Sequence, residues 1–207
     1  LILGLAENLE EEQDLAVVHE QARDITEAVK RTSAICRDLT RYARRNGSRE
    51  EVMVNLNTKL DEALRIARYA VTLQDVTVVK RYAEEASVMG NPDELLHVFV
   101  NLITNAVQAI KDHGTLTLQT AVGPDGLVSA SVSDTGCGIP KEAFSKIFEP
   151  LYTTKPPGKG TGLGLYNVMS VISKMDGHIC VESEVGVGTT FRIEFPQVQP
   201  TISCAPL

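Results

Sequence analysis

The chain has 207 residues, 43% of them hydrophobic, and a formal net charge of −7. That hydrophobic share supports a folded core and excludes a disordered chain, and the acidic balance argues against a nucleic-acid-binding surface. Its four cysteines, Cys36, Cys137, Cys180 and Cys204, form neither a CxxC nor a Cys/His metal pattern, so a reducing compartment is expected.

The first residues read ILGLAENL from Ile2 with no initiating Met, which suggests a piece of something longer. No apolar run approaches the roughly 20 residues of a membrane span, and no signal peptide is apparent, so the expected location is cytoplasmic, with any membrane attachment left to upstream segments. From Leu15 the pattern sharpens. Leu15, Val18, Ala22, Ile25, Val29, Thr32, Cys36, Leu39 and Ala43 recur in steps of three and four, a heptad seam flanked by charged residues. Asn46-Gly47 is a helix stop. Such a seam has to be buried against another helix. Residues 1–50 are therefore expected to form a helical hairpin, closed on itself or paired in a dimer. His19, beside Val18, reads by itself as a surface residue.

Beyond residue 50 the chain alternates helices and strands. Residues 55–70 predict a helix with Leu56, Leu60, Leu64 and Ala67 on one face. Residues 75–82 alternate as a strand. Asn91 suits a helix N-cap and Pro92 the first helical position, with the helix running to about residue 112. Strands 115–122 and 127–133 are joined by the turn Gly123-Pro124-Asp125-Gly126. A short helix over 140–148, a mobile loop around Pro156-Pro157-Gly158-Lys159-Gly160, a helix over 162–175 and a hairpin of 178–184 with 189–195 follow. Residues 197–207 read as a tail. The fold class expected for 51–196 is α+β, with helices on one face of a mostly antiparallel sheet.

Chemistry concentrates in this second part. Asn101 and Asn105 are one helical turn apart and share a face; two amides at that spacing suit a Mg²⁺ shell completed by phosphate oxygens, or they satisfy nearby backbone. Asp134 ends a strand and leads into Gly136 and Gly138, where missing side chains let a flat ring approach. Its oxygens match the exocyclic amine of adenine, whereas guanine presents a carbonyl there, so the site expects ATP over GTP. By itself Asp134-Thr135-Gly136 is also a common turn, and an aspartic protease would need a second such loop. Gly160, Gly162 and Gly164 alternate before a helix and can expose backbone N–H groups to anions, with Lys155 and Lys159 placed to neutralise terminal phosphates. The spacing fits neither a P-loop nor a dinucleotide fingerprint; a flexible hinge is the other reading. Gly186, Gly188 and Thr189 turn into the last strand, with the Thr189 hydroxyl able to bond toward Asp134 or a water beside it.

These segments occur in a telling order: VNLITNAVQAI with Asn101 and Asn105, SDTGCGIP with Asp134, FEPLYTTK from Phe148, GTGLGL from Gly160 and GVGTTF from Gly186. The set resembles the N, G1, F, G2 and last glycine boxes of sensor histidine kinases of the GHKL superfamily. The resemblance implies a Bergerat-type ATP-binding sandwich at 51–196, with ATP and Mg²⁺ as ligands. Asn105 would bind Mg²⁺, Asn101 would position the phosphates, and Asp134 would read the adenine amine. Gly136, Gly138, Ile139, Thr154, Lys159, Gly160, Thr161, Gly162, Leu163, Gly164, Leu165 and Thr189 would line the nucleotide site and its lid at about 139–161, with Lys155 joining Asn101 in phosphoryl transfer. ATPases of the superfamily such as gyrase B carry Glu at the position of Asn101, where it activates water. Asn is no base, which fits a kinase that holds ATP and passes its γ-phosphoryl on.

Residues 1–50 resemble the family's dimerisation and phosphoacceptor hairpin, in which ILGLAE follows the acceptor histidine. The acceptor segment is not in this chain, and His19 lacks its signature. The expectation is the catalytic region of a protein-histidine kinase, a homodimer through the hairpin and a partner of a response regulator receiver domain, unable by itself to autophosphorylate. A GHKL-type ATPase and a non-enzymatic nucleotide-binding scaffold are the alternatives.

Overall fold

A computed structural model describes residues 16–26, 29, 51–70, 75–124, 126–156 and 160–196. The chain divides into two units, Leu1–Ser48 with Glu149–Leu163, and Arg49–Phe148 with Gly164–Leu207. In the first, residues 16–26 and 29 are helical, and the Thr26 hydroxyl donates to the Ala22 carbonyl at 2.8 Å. Residues 1–15 with the seam position Leu15, the seam positions from Thr32 to Ala43, the Asn46-Gly47 stop and the tail at 197–207 lie outside the described residues.

The second unit is built from helices whose apolar residues recur every three or four positions. Helix α1, Leu56–Ala70, buries Leu56, Leu60, Ala63, Leu64 and Ala67. Its start is capped by the Asn55 side chain, which accepts from the Thr58 N–H at 3.0 Å. Helix α2, Pro92–Ala109, buries Leu95, Val98, Phe99, Leu102, Ile103, Ala106 and Val107. Asn91 Oδ1 caps it, accepting from Asp93 and Glu94 N–H at 2.9 and 3.1 Å. Those two carboxylates also sit favourably at the positive end of the helix dipole. Helix α3, Gly164–Lys174, buries Val168, Val171 and Ile172. Just past its end Asp176 takes a positive φ of 52°, and the Gly177 N–H closes on the Ile172 carbonyl at 3.0 Å.

Strands β1 (Val52–Asn55) and β3 (Ser87–Gly90) pair antiparallel as a separate two-stranded ribbon. The main sheet contains β2 (Val76–Arg81), β4 (Gly114–Val122), β5 (Val128–Asp134), β6 (His178–Glu184) and β7 (Gly188–Phe195). Its order is β2-β4-β5-β7-β6, parallel only at β2-β4 and antiparallel elsewhere. Side chains alternate across a strand, so the pairing register sorts the sheet into rows. Thr120, Ala130, Ile193 and Ile179 form one row on the inner face; Leu118, Val132, Phe191 and Val181 form the next. The third row, at the sheet's rim, is Leu116, Asp134, Thr189 and Ser183. The core is largely aliphatic around Phe99, Phe191 and Phe195.

Several expected boundaries shift for physical reasons. The helix expected to reach residue 112 stops at Ala109 because Ile110 turns to an extended backbone, φ −80° and ψ 119°, which leaves the Ala109 carbonyl for the Cys137 N–H at 3.0 Å. The helix expected over 162–175 starts at Gly164, since Gly162 has a left-handed φ of 68°. Only Lys141–Ala143 of the helix expected over 140–148 forms a helical turn, of the tighter 3-10 kind, with further turns to residue 148. The β1-β3 ribbon has no sequence-level counterpart: four-residue strands carry too little alternation to read.

Candidate nucleotide site

The rim row places the acidic residue of the SDTGCGIP segment. Asp134 is the last residue of β5, on the inner face, and is 8% exposed. Burial pushes its carboxyl pKa up from 3.8 to about 6, against the pull of backbone N–H bonds from Gly136 and Thr189. The Gly136 bond to Oδ1 is 2.8 Å. An acceptor held like this, with its cost of ionisation only partly offset, is poised for a donor from a ligand.

The loop after Asp134 is pressed onto the end of α2. A Cβ on Gly136 would lie 2.6 Å from both the carbonyl carbon and the oxygen of Ala109. Gly138, at φ 72°, abuts the Glu184 carbonyl so closely that no side chain fits there. Cys137 then bridges, donating its N–H to Ala109 and accepting the Gly186 N–H at 2.9 Å. The loop is thus fixed between a helix end and the β6-β7 turn. On its other side Thr135 Oγ1 accepts the Thr115 N–H at 2.9 Å.

Asn101 and Asn105 lie on α2, both half-buried. Their spacing continues to Ala109, so three positions at four-residue steps run along one side of the helix, spanning about 12 Å at 1.5 Å per residue. Asn101 marks the α3 end of that line: a Cβ on Gly164, the first residue of α3, would lie 3.7 Å from Asn101 Oδ1. Ala109 and Gly136 mark the other end. Gly164 and Leu165 open α3, both half-buried. Gly136 thus packs tightly on one end of the line, and Gly164 stands at ordinary contact distance from the other. Two neutral amides fit a cation whose charge is balanced by phosphate oxygens. Among the described residues no three His, Cys, Asp or Glu side chains cluster as a metal site of their own.

The remaining expected residues sit in the other unit. There the Leu151 N–H donates to the Gly162 carbonyl at 3.0 Å, and Gly162 packs directly on the Leu151 backbone. The Leu163 N–H reaches Thr161 Oγ1 at 3.4 Å. A Cβ on Gly160 would lie 2.8 Å from Thr153 Oγ1, and Thr154 is exposed. Burial holds the Lys155 ammonium below its usual pKa. Lys159 lies outside the described residues.

Residues 90–199 match the family described as histidine kinase-, DNA gyrase B-, and HSP90-like ATPase. The sensor kinase CckA of Brucella abortus is 33% identical over 208 residues, covering 89% of this chain and 22% of that protein. The signal transduction histidine-protein kinase AtoS of Escherichia coli is 31% identical over 196 residues, covering 94% of this chain and 32% of that protein. This chain belongs to the sensor histidine kinases. Among solved structures, the catalytic domain of histidine kinase ThkA is similar at a TM-score of 0.63 and 28% identity, over 72% of this chain and 96% of that one. ShkA in complex with AMPPNP shares the fold at a TM-score of 0.71 and 24% identity, over 100% of this chain and 44% of that one. The chain spans 22% and 32% of the length of these two curated relatives. No described helix of the kinase chain is long and apolar enough to cross a membrane.

Two features of the candidate site escaped the sequence. One is Ser183, whose Oγ accepts the Ile139 N–H at 2.8 Å and lies 2.9 Å from Thr189 Oγ1. Counting back from the Val185-Gly186-Val187 turn would have paired Ser183 with Thr189. The other is the form of the Thr189 contact: its backbone N–H, rather than its hydroxyl, bonds the Asp134 carboxylate.

Proposed function

We propose that this chain is the nucleotide-binding catalytic region of a protein-histidine kinase, which binds ATP with Mg²⁺ and transfers the γ-phosphoryl to a histidine. The observation that carries the reading is the line of Asn101, Asn105 and Ala109 on α2, with the Asp134 loop pinned at Ala109 and Gly164, the first residue of α3, beside Asn101. Asp134 accepts the base amine, and Gly136 and Gly138 keep the loop clear of the ring. Asn105 supplies an amide oxygen to Mg²⁺, and Asn101 orients phosphate oxygens. ATP and Mg²⁺ supply the transferable phosphoryl group and compensation for its charge.

Asn101 cannot take a proton from water, so bound ATP is held for transfer rather than hydrolysed. Lys155, half-buried and carrying a donor group, with Lys159, stabilises charge on the moving phosphoryl. Gly160, Thr161, Gly162, Leu163 and Leu165 close over the phosphates with Thr154, while Ile139 and Thr189 border the base. Residues 1–50 form a dimerising hairpin, 51–196 the catalytic region and 197–207 a tail. The hairpin receives a response regulator receiver domain, in the cytoplasm.

Calorimetric titration with ATP and with GTP, each with and without Mg²⁺, tests the reading. Mg²⁺-dependent binding of ATP in preference to GTP is expected, followed by acid-labile phosphate on a histidine when an acceptor helix is supplied in trans. Absence of ATP binding at millimolar concentration overturns the site, and steady hydrolysis without transfer would point to an ATPase.

A further inference from the structure

The hydrogen bonds of Ser183 determine which way its neighbour's proton points. Ser183 Oγ has three partners: the Ile139 N–H at 2.8 Å, the Gly188 carbonyl at 2.9 Å and Thr189 Oγ1 at 2.9 Å. A hydroxyl has one proton and two lone pairs. The amide can only donate and the carbonyl can only accept. Ser183 therefore gives its proton to Gly188, and its second lone pair is left to receive the proton of Thr189. With all three bonds made, the Thr189 hydroxyl has only lone pairs to offer elsewhere.

We propose that Ser183 is a specificity-determining positioning residue: it holds the Thr189 hydroxyl as an acceptor beside Asp134, so that the rim of the site accepts a purine amine and rejects a purine carbonyl. This rests on the nucleotide reading above. Thr189 and Asp134 are cross-strand partners on the inner face, as are Thr189 and Ser183. Ionised Asp134 is likewise acceptor-only. A purine amine can donate to this rim directly. A water bridging Thr189 and Asp134 spends both protons on them and keeps lone pairs for the amine. A carbonyl at the same position of the base meets acceptors directly, or a water with no proton left. Without Ser183 the Thr189 hydroxyl rotates and can donate to that carbonyl. Ser183 is thus coupled to base choice, although its own bonds go to protein groups.

The test compares ATP with inosine triphosphate, which has a carbonyl in place of the amine, by calorimetry on the whole chain. Wild type is expected to favour ATP. In Ser183→Ala the ratio of affinities should narrow by about tenfold, the worth of about one hydrogen bond, chiefly through tighter binding of inosine triphosphate. Ser183→Thr, which keeps a hydroxyl, should restore the ratio. A purely structural role would weaken both nucleotides equally; equal weakening, or an unchanged ratio, overturns the proposal. Should Ser183→Ala fail to fold, Thr189→Val removes the acceptor itself, and an unchanged ratio there overturns the proposal as well. Wild type that binds neither nucleotide would defeat the nucleotide reading, an outcome distinct from binding without the expected change in ratio.

Discussion

Removing the Asp134 carboxylate should change how stability depends on pH. The carboxyl titrates at about 6 in the folded chain against a starting value of 3.8. A carboxyl raised on folding binds its proton more tightly in the native state, so native stability falls as pH rises from about 4 through 6 and levels off above. About two pH units correspond to at most about 3 kcal/mol. Water at the mouth of the site screens part of that, leaving about 1–2 kcal/mol. Asp134→Ala also strips the Gly136 and Thr189 N–H groups of their acceptor, a loss that does not vary over this pH range. The informative quantity is therefore the difference between wild type and variant, measured by urea unfolding at pH 4, 5, 6 and 7. That difference should shift by about 1–2 kcal/mol in favour of the variant between pH 4 and pH 7. A difference that stays constant, or that moves toward the wild type, would refute the burial argument for Asp134. In parallel, wild-type ATP affinity should drop about tenfold from pH 7 to pH 5 as the acceptor protonates, after subtracting the pH dependence of ATP binding by the variant.

Two glycine substitutions should part company. Gly136→Ala forces a Cβ to within 2.6 Å of the Ala109 carbonyl, so ATP affinity should fall more than about tenfold in calorimetry. Gly186→Ala meets nothing within 4 Å and carries only the strain of φ 82°; it should cost about 1 kcal/mol in urea unfolding and leave ATP affinity within about twofold. Thr120→Val breaks a closed network far from the rim row, in which the Thr120 hydroxyl donates to Asn57 Oδ1 at 2.7 Å and accepts the Ala83 N–H at 3.0 Å. It should cost about 1–3 kcal/mol of stability, read by urea midpoint, with ATP binding preserved. Lys155→Met should slow phosphoryl transfer to an acceptor helix by about tenfold or more while lowering ATP affinity less, measured by single-turnover transfer.

The candidate site residues were legible in the chain because local rules place them. Asn101 and Asn105 share a helix face by period alone, and Asp134 leads into glycines that only a close approach would need. Helix starts at Asn91 and strand pairs around Gly126 and Gly186 followed from caps and turns, which depend on a few consecutive residues. The order of the glycine segments was enough to suggest the family. Tertiary structure decided the rest. Asp134 and Thr189 are 55 positions apart in sequence yet directly opposed across β5 and β7, and nothing local specifies that register. Ser183 joins the rim row through the β6-β7 hairpin, opposite Thr189. The Ala109 carbonyl left free at the end of α2 likewise finds its partner from outside the helix, in the N–H of Cys137. Sequence determined which groups are available; long-range strand pairing determined which of them meet, because a hydrogen bond needs its partner in place and the partner here comes from a distant strand.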